Sequence, residues 1–191
     1  MKVRWLGEAC VEISGEKDLL IDPNYTEEPK IAPEIILITH EHDDHIDPNK
    51  IASYNDAEIH APETVLEKFD LEGSIAEPGK TIADDIRVYS CDCYGAEEAV
   101  SYYYAGMLHT ADTASFPQVE DNIKLLFTAC FSDFYDDYIE GAERLEPDLI
   151  IPYHYDPRDE DEHEEAAGLV ELFKEADFKA RIISPGKDLR I

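Results

Sequence analysis

Within six residues, His40-Glu41-His42-Asp43-Asp44-His45 gathers three histidines, Asp44 and two spare carboxylates directly behind an apolar run. Ile35 to Thr39 is short, apolar and β-branched, the pattern of a strand buried on both faces. His40 and His42 lie two apart on extended backbone, so their imidazoles can point to one side. Asp44 and His45 follow where the chain must turn, and Asp47-Pro48 predicts the entry to a short helix. Four ligand-type side chains therefore leave one strand tip. Imidazole and carboxylate suit Zn²⁺, and also Mn²⁺ or Fe²⁺. A solvated loop would favour Asp, Asn, Gly and Pro, and gives no reason for three histidines.

At 191 residues the chain suits one well-buried domain, 1–191. Asp and Glu number 45 against 16 Lys and Arg, a formal charge of -29 that argues against nucleic acid and anionic membranes as partners. Hydrophobic content of 43% argues against disorder. The acidity fits either a solvating surface for high salt, where ~1 M salt shrinks the Debye length to ~3 Å, or a merely acidic protein. No targeting segment and no apolar run of ~20 residues is visible, which predicts a cytoplasmic protein. Cysteines 10, 91, 93 and 130 lack disulfide-scaffold density and Cys-x-x-Cys spacing, so reduced thiols are expected.

Val3–Leu6, Cys10–Ile13 and Leu19–Asp22 read as an antiparallel meander. Ala57–His60 reads as a strand, and Pro62–Phe69 as a helix with Pro62 in its first turn. Ile82–Cys93, Val100–Leu108, Leu125–Ala129, the apolar run ending at His154, and Lys179–Ser184 give further strands. Tyr135–Leu145 and Glu160–Ala176 read as helices, the second amphipathic through Ala166, Leu169, Val170 and Phe173. Tyr102, Tyr103 and Tyr104 read as sheet packing. His60 is assigned to a strand and His163 to the acidic surface.

The pattern His-x-His-x-Asp-His resembles the signature of the metallo-β-lactamase superfamily. Ala111-Asp112-Thr113 resembles that family's Gly-Asp-Thr loop, and Pro147-Asp148-Leu149-Ile150-Ile151-Pro152-Tyr153-His154 its last strand ending in a ligand. Trp5-Leu6-Gly7 and Leu20-Ile21-Asp22-Pro23 resemble the opening of its L-ascorbate-6-phosphate lactonase-like branch. The resemblance implies an αββα sandwich, two mixed β-sheets face to face with helices outside, carrying metals at one edge. It further implies that His40 and His42 serve one site and Asp44, His45 and His154 a second, with Asp112 bridging the two. Asp22 would back a metal-binding histidine, or else simply end a strand in an Asp-Pro-Asn turn. If the backbone at Ala111 needs φ > 0, alanine there costs stability.

No histidine lies between His60 and His109, where the family supplies another ligand to the first site. Cys91, Asp92 and Cys93 occupy the expected stretch. In a strand the two cysteines would face one way and Asp92 the other, and the cysteines could equally be small core residues.

The resemblance thus implies a metal-dependent hydrolase with one or two ions, zinc foremost, that acidify water for attack on a small lactone, ester or phosphodiester. Asp44, Asp112 and His109 are the candidate catalytic residues, His109 as an orienting group. The alternative is a non-catalytic metal-binding relative with a degenerate first site.

Overall fold

A computed structural model describes residues 1–191. The elements in chain order are β1 (Lys2–Trp5), β2 (Val11–Ser14), β3 (Leu19–Ile21), β4 (Ile35–Leu37), α1 (Pro48–Ile51), β5 (Glu58–Ala61), α2 (Glu63–Lys68), β6 (Ser74–Ile75) and β7 (Thr81–Ile82). They continue with β8 (Ile86–Ser90), β9 (Val100–Tyr104), β10 (Met107–His109), β11 (Leu125–Thr128), α3 (Tyr135–Leu145), β12 (Ile150–Pro152), α4 (Glu160–Glu175) and β13 (Leu189–Arg190). Two mixed sheets result, ordered β13-β1-β2-β3-β4-β5-β6 and β12-β11-β10-β9-β8-β7.

Strand alternation explains how the layers stack. Leu19, Ile21, Ile35 and Leu37 join Tyr102, Leu108 and Phe127 in one apolar cluster between the sheets. Their neighbours Leu20, Ile36 and Ile38 face the other way, onto Ile51 of α1 and Val65 of α2. Each such side chain, fully buried, contributes roughly 1.5–3 kcal/mol. Ala166, Leu169, Val170 and Phe173 of α4 bury as their spacing predicts, and α4 contacts β12 and α3.

Strand direction brings the chemistry to one edge. The β3, β4 and β5 strands are parallel, as are β10, β11 and β12. Since β8 and β10 are each antiparallel to β9, β8 ends at the same edge as β10. The Val100 N–H donates to the Thr39 carbonyl at 3.0 Å and the Tyr102 hydroxyl to the Ile38 carbonyl at 2.8 Å, joining the two sheets directly beneath the histidine loop.

Several expected elements differ. The 82–93 and 100–108 runs are each broken by a turn, at Ala83-Asp84 and Ala105-Gly106, with positive φ at all four residues. Such a pair of left-handed residues closes a tight hairpin, and three of the four are not glycine, so the usual sequence signal is weak. Strand β8 stops at Ser90, which removes the alternation expected of Cys91, Asp92 and Cys93. Lys179–Ser184 contributes only a bridge between Ala180 and Ile150, and the chain's last strand is β13 against β1. Pro62 caps α2 and is not within its first turn. No helix is long and apolar enough to cross a membrane.

Candidate metal centre

Asp22 is where the centre begins, because it is a fully buried carboxylate at the end of β3 and must satisfy both oxygens internally. Oδ1 accepts the Thr39 N–H at 2.7 Å, while Oδ2 accepts the Thr39 hydroxyl at 2.8 Å and the His45 Nδ1–H at 2.8 Å. With its only hydrogen given to Asp22, the Thr39 oxygen is left to accept from His40 Nδ1 at 3.0 Å. Both imidazoles are therefore held with Nδ1 protonated and Nε2 turned inward. Nothing in the sequence singles out Thr39, which reads there only as the last β-branched residue of a strand.

Asp112 stands at the meeting point of two donor groups. One comprises Asp44, His45 and His154, and the other His40, His42, Cys93 and Asp112 itself. His45 Nε2 lies 3.0 Å from His154 Nε2 and 3.1 Å from Asp112 Oδ1. His154 Nε2 is 3.3 Å from both Asp112 Oδ1 and Asp44 Oδ2. On the other side Asp112 Oδ2 is 3.5 Å from His40 Nε2. The edges of a tetrahedron of zinc ligands measure ~3.3 Å when the bonds are ~2.0–2.1 Å. Asp112 Oδ1 is also buried without a well-formed hydrogen bond, despite two ring nitrogens within 3.3 Å. A cation fits such a donor set, and a hydrogen bond does not.

The charge balance supports the same fit. Although burial opposes it, the His45 and His40 imidazoles and the neighbouring His154 keep the Asp112 carboxyl well below its usual range. His45 is raised well above an ordinary imidazole and His154 is raised too, both against their burial, by Asp112 and by Asp22 or Asp44. The bond from His154 pulls Asp44 down to about 2. The carboxylates thus call for positive charge, which protons or a divalent ion can supply.

Backbone strain concentrates here. Asp22, Ala111 and His154 all have left-handed backbone, with φ of 48°, 54° and 64°. For an L-residue that region costs roughly 1–2 kcal/mol. Tertiary bonds hold each one, as the Tyr153 hydroxyl does by donating to the Ala111 carbonyl at 2.8 Å. The His154 N–H likewise donates to the Glu8 carbonyl at 3.0 Å.

His109 does not join these groups. It is fully buried, its Nδ1 accepting the Ala111 N–H at 3.4 Å and its Nε2 facing the Ala9 carbonyl at 3.3 Å. Burial lowers its pKa to about 4. The structure thus places His109 beneath the Asp112 loop, its ring between the Ala9 carbonyl and the Ala111 N–H and outside both donor groups. His60 and His163 also lie outside both donor groups.

Beside the donors opens a cleft of about 900 Å³, bordered by His42, Asp44, Asp92, Cys93, Asp112 and His154 and by the aromatic residues Tyr94, Phe131 and Phe134. Its lining includes no lysine or arginine.

Residues 2–154 match the beta-lactamase superfamily domain. The chain belongs to that superfamily. Among related proteins, it is 29% identical to a UPF0173 metal-dependent hydrolase of Thermoplasma acidophilum, with 83% of this chain and 85% of that protein covered. A UPF0173 metal-dependent hydrolase of Methanosarcina mazei is 26% identical over 100% of this chain and 99% of its own. The structure of Igni18, a metallo hydrolase from Ignicoccus hospitalis, superposes with a TM-score of 0.76 at 16% identity, covering 98% of this chain and 97% of that one. The fold is therefore that of the metallo-β-lactamases.

Proposed function

We propose that this chain is a cytoplasmic, metal-dependent hydrolase whose residues 1–191 act as one domain on a small, uncharged lactone or ester. The observation that carries the reading is Asp112, whose Oδ2 lies 3.5 Å from His40 Nε2 in its own donor group while its Oδ1 lies 3.1 Å from His45 Nε2 in the other. Its superfamily membership and the names of its UPF0173 relatives support hydrolysis. Asp44, His45, His154 and Asp112 would hold one ion, and His40, His42 and Asp112 another. When bound, such ions polarise the substrate oxygen and acidify water.

The remaining work falls to the protein. Asp22 and Thr39 engage Nδ1 of His45 and His40, which leaves each Nε2 aimed inward as the atom that would meet a metal. Asp44, half exposed and ionised, stands at the cleft edge beside His154, where it can orient an entering water through its free oxygen. Phe131 and Phe134 shield one wall from solvent and favour a substrate with an apolar part. A phosphodiester or a phosphorylated sugar lactone fits less well, since the lining offers Asp92 and Asp137 where an anion clamp would need lysine or arginine.

Hydrolysis of neutral lactones, aryl esters and an aryl phosphodiester should be compared after chelation and again with zinc or manganese restored. The metal-loaded protein is expected to cleave lactones or esters and to lose at least about a hundredfold in Asp112→Ala, equivalent to ~2.7 kcal/mol. Metal-loaded protein that cleaves nothing in the panel would replace this reading with the binding-only one. Equal rates in Asp112→Ala would remove Asp112 from catalysis.

A further inference from the structure

Counting nitrogen and oxygen alone, the His40 and His42 position is one donor short. Its third ligand atom is Asp112 Oδ2, and no histidine exists between His60 and His109 to supply a fourth. Leaving β8 at Ser90, the chain turns back across this gap, with the Ala96 N–H donating to the Cys93 carbonyl at 3.3 Å. Gly95 takes φ +83° in that turn, a conformation glycine adopts without the Cβ penalty. Even a Cβ built there would come within 3.6 Å of His42 Nε2, which shows how near the turn passes. Glu41, between the two histidines, accepts the Glu97 N–H at 2.6 Å and so fastens the turn to the motif loop.

The turn sorts the candidates. Tyr94 points out and is 98% exposed. Asp92 borders the cleft but belongs to neither donor group. Cys91, half-buried, likewise belongs to neither donor group. Cys93 alone comes in, its Sγ 3.5 Å from His40 Nε2 and 3.9 Å from Asp112 Oδ2.

We infer that Cys93 is the fourth donor of the His40, His42 and Asp112 position and binds metal there as a thiolate. The inference rests on the metal-binding reading above and extends it to the kind of metal taken. On binding, the S–H bond breaks as the S–metal bond forms, and the proton leaves to solvent. The two positions are then unlike. Asp44, His45, His154 and Asp112 offer nitrogen and oxygen only, while the other adds a soft sulfur that favours zinc, cobalt or cadmium over manganese or magnesium. The thiolate also adds a negative charge where an imidazole would be neutral, further disfavouring an anionic substrate in this cleft.

The test is titration of the full metal-free chain with Co²⁺, reading metal stoichiometry and the near-ultraviolet sulfur-to-cobalt absorption. Wild type should bind two equivalents, one of which brings the absorption. Cys93→Ser should lose the absorption and weaken one equivalent by at least the ~10-fold that loss of even an outer partner costs. Cys93→His should bind two equivalents without the absorption, and Cys91→Ser should keep it. Should Cys93→Ser fail to fold, X-ray absorption on zinc-loaded wild type decides, a sulfur at ~2.3 Å being expected. Two bound cobalt ions without sulfur absorption in wild type, or absorption retained in Cys93→Ser, would overturn the inference and leave the metal reading standing. A wild-type chain that binds no cobalt would overturn both.

Discussion

Asp22 is the residue on which the centre depends without touching it. Replacing its charge while keeping its shape, as in Asp22→Asn, puts an amide where an acceptor is needed and frees His45 to rotate or change tautomer. Zinc affinity, measured by competition with a chromophoric chelator, should fall about 10–100-fold, with far-ultraviolet circular dichroism unchanged. His60→Ala, outside both donor groups, should leave that affinity as it is. His109 makes a pH prediction. Its folded pKa of about 4 lies below the ~6.5 of an unfolded histidine, so between those values the unfolded chain binds a proton that the folded chain refuses. Its contribution is whole above pH ~6.5 and is lost as pH falls toward 4, a loss of at most roughly 3 kcal/mol. Urea unfolding of chelated protein at about pH 7 and about pH 5 should show this fall, and His109→Gln should flatten it. A slope unchanged in His109→Gln would assign the titration elsewhere, with His40, also lowered by burial, next in line.

At the scale of elements, α4 separates stability from the site. Asp159 caps it, its side chain accepting the N–H groups of Asp161 and Glu162, and Glu160, Asp161 and Glu162 fill its first turn. That end carries partial positive charge from unpaired N–H groups, so an acidic cap stabilises it both by hydrogen bonding and by charge. Asp159→Ala should cost about 1 kcal/mol in urea unfolding and leave zinc affinity unchanged. The helix is legible in the sequence because its apolar residues recur at helical spacing and its cap stands just ahead of them. The hairpins at Ala83-Asp84 and Ala105-Gly106 are not, because left-handed alanines reflect what the flanking strands impose and leave no trace in propensity.

For the whole molecule, the surplus of acid groups is the largest electrostatic influence outside the core. A formal charge of -29 on a chain this size repels itself, and salt screens that repulsion once the Debye length falls below the spacing of surface carboxylates. The urea midpoint should therefore rise between about 0.05 M and about 1 M KCl, and most of the rise should come by about 0.5 M. Flat stability over that range would mean that the carboxylates are already paired or dispersed, and the acidity would then not mark a chain built for high salt.

The sequence by itself determined the strands that carry the candidate ligands and the helix α4, and it pointed to six candidate donors, His40, His42, Asp44, His45, Asp112 and His154. Apolar alternation and the abrupt change to histidine and aspartate are local signals, written in adjacent residues. Tertiary structure decided what depends on distance between strands. It set Asp112 between two donor groups, closed Asp22 and Thr39 beneath both imidazoles, fastened His109 to backbone, and brought Cys93 but not Cys91 into a donor group. Those outcomes follow from where β8 ends and how the two sheets meet, and a buried polar atom takes the partner the packing brings to it, which no stretch of neighbouring residues encodes.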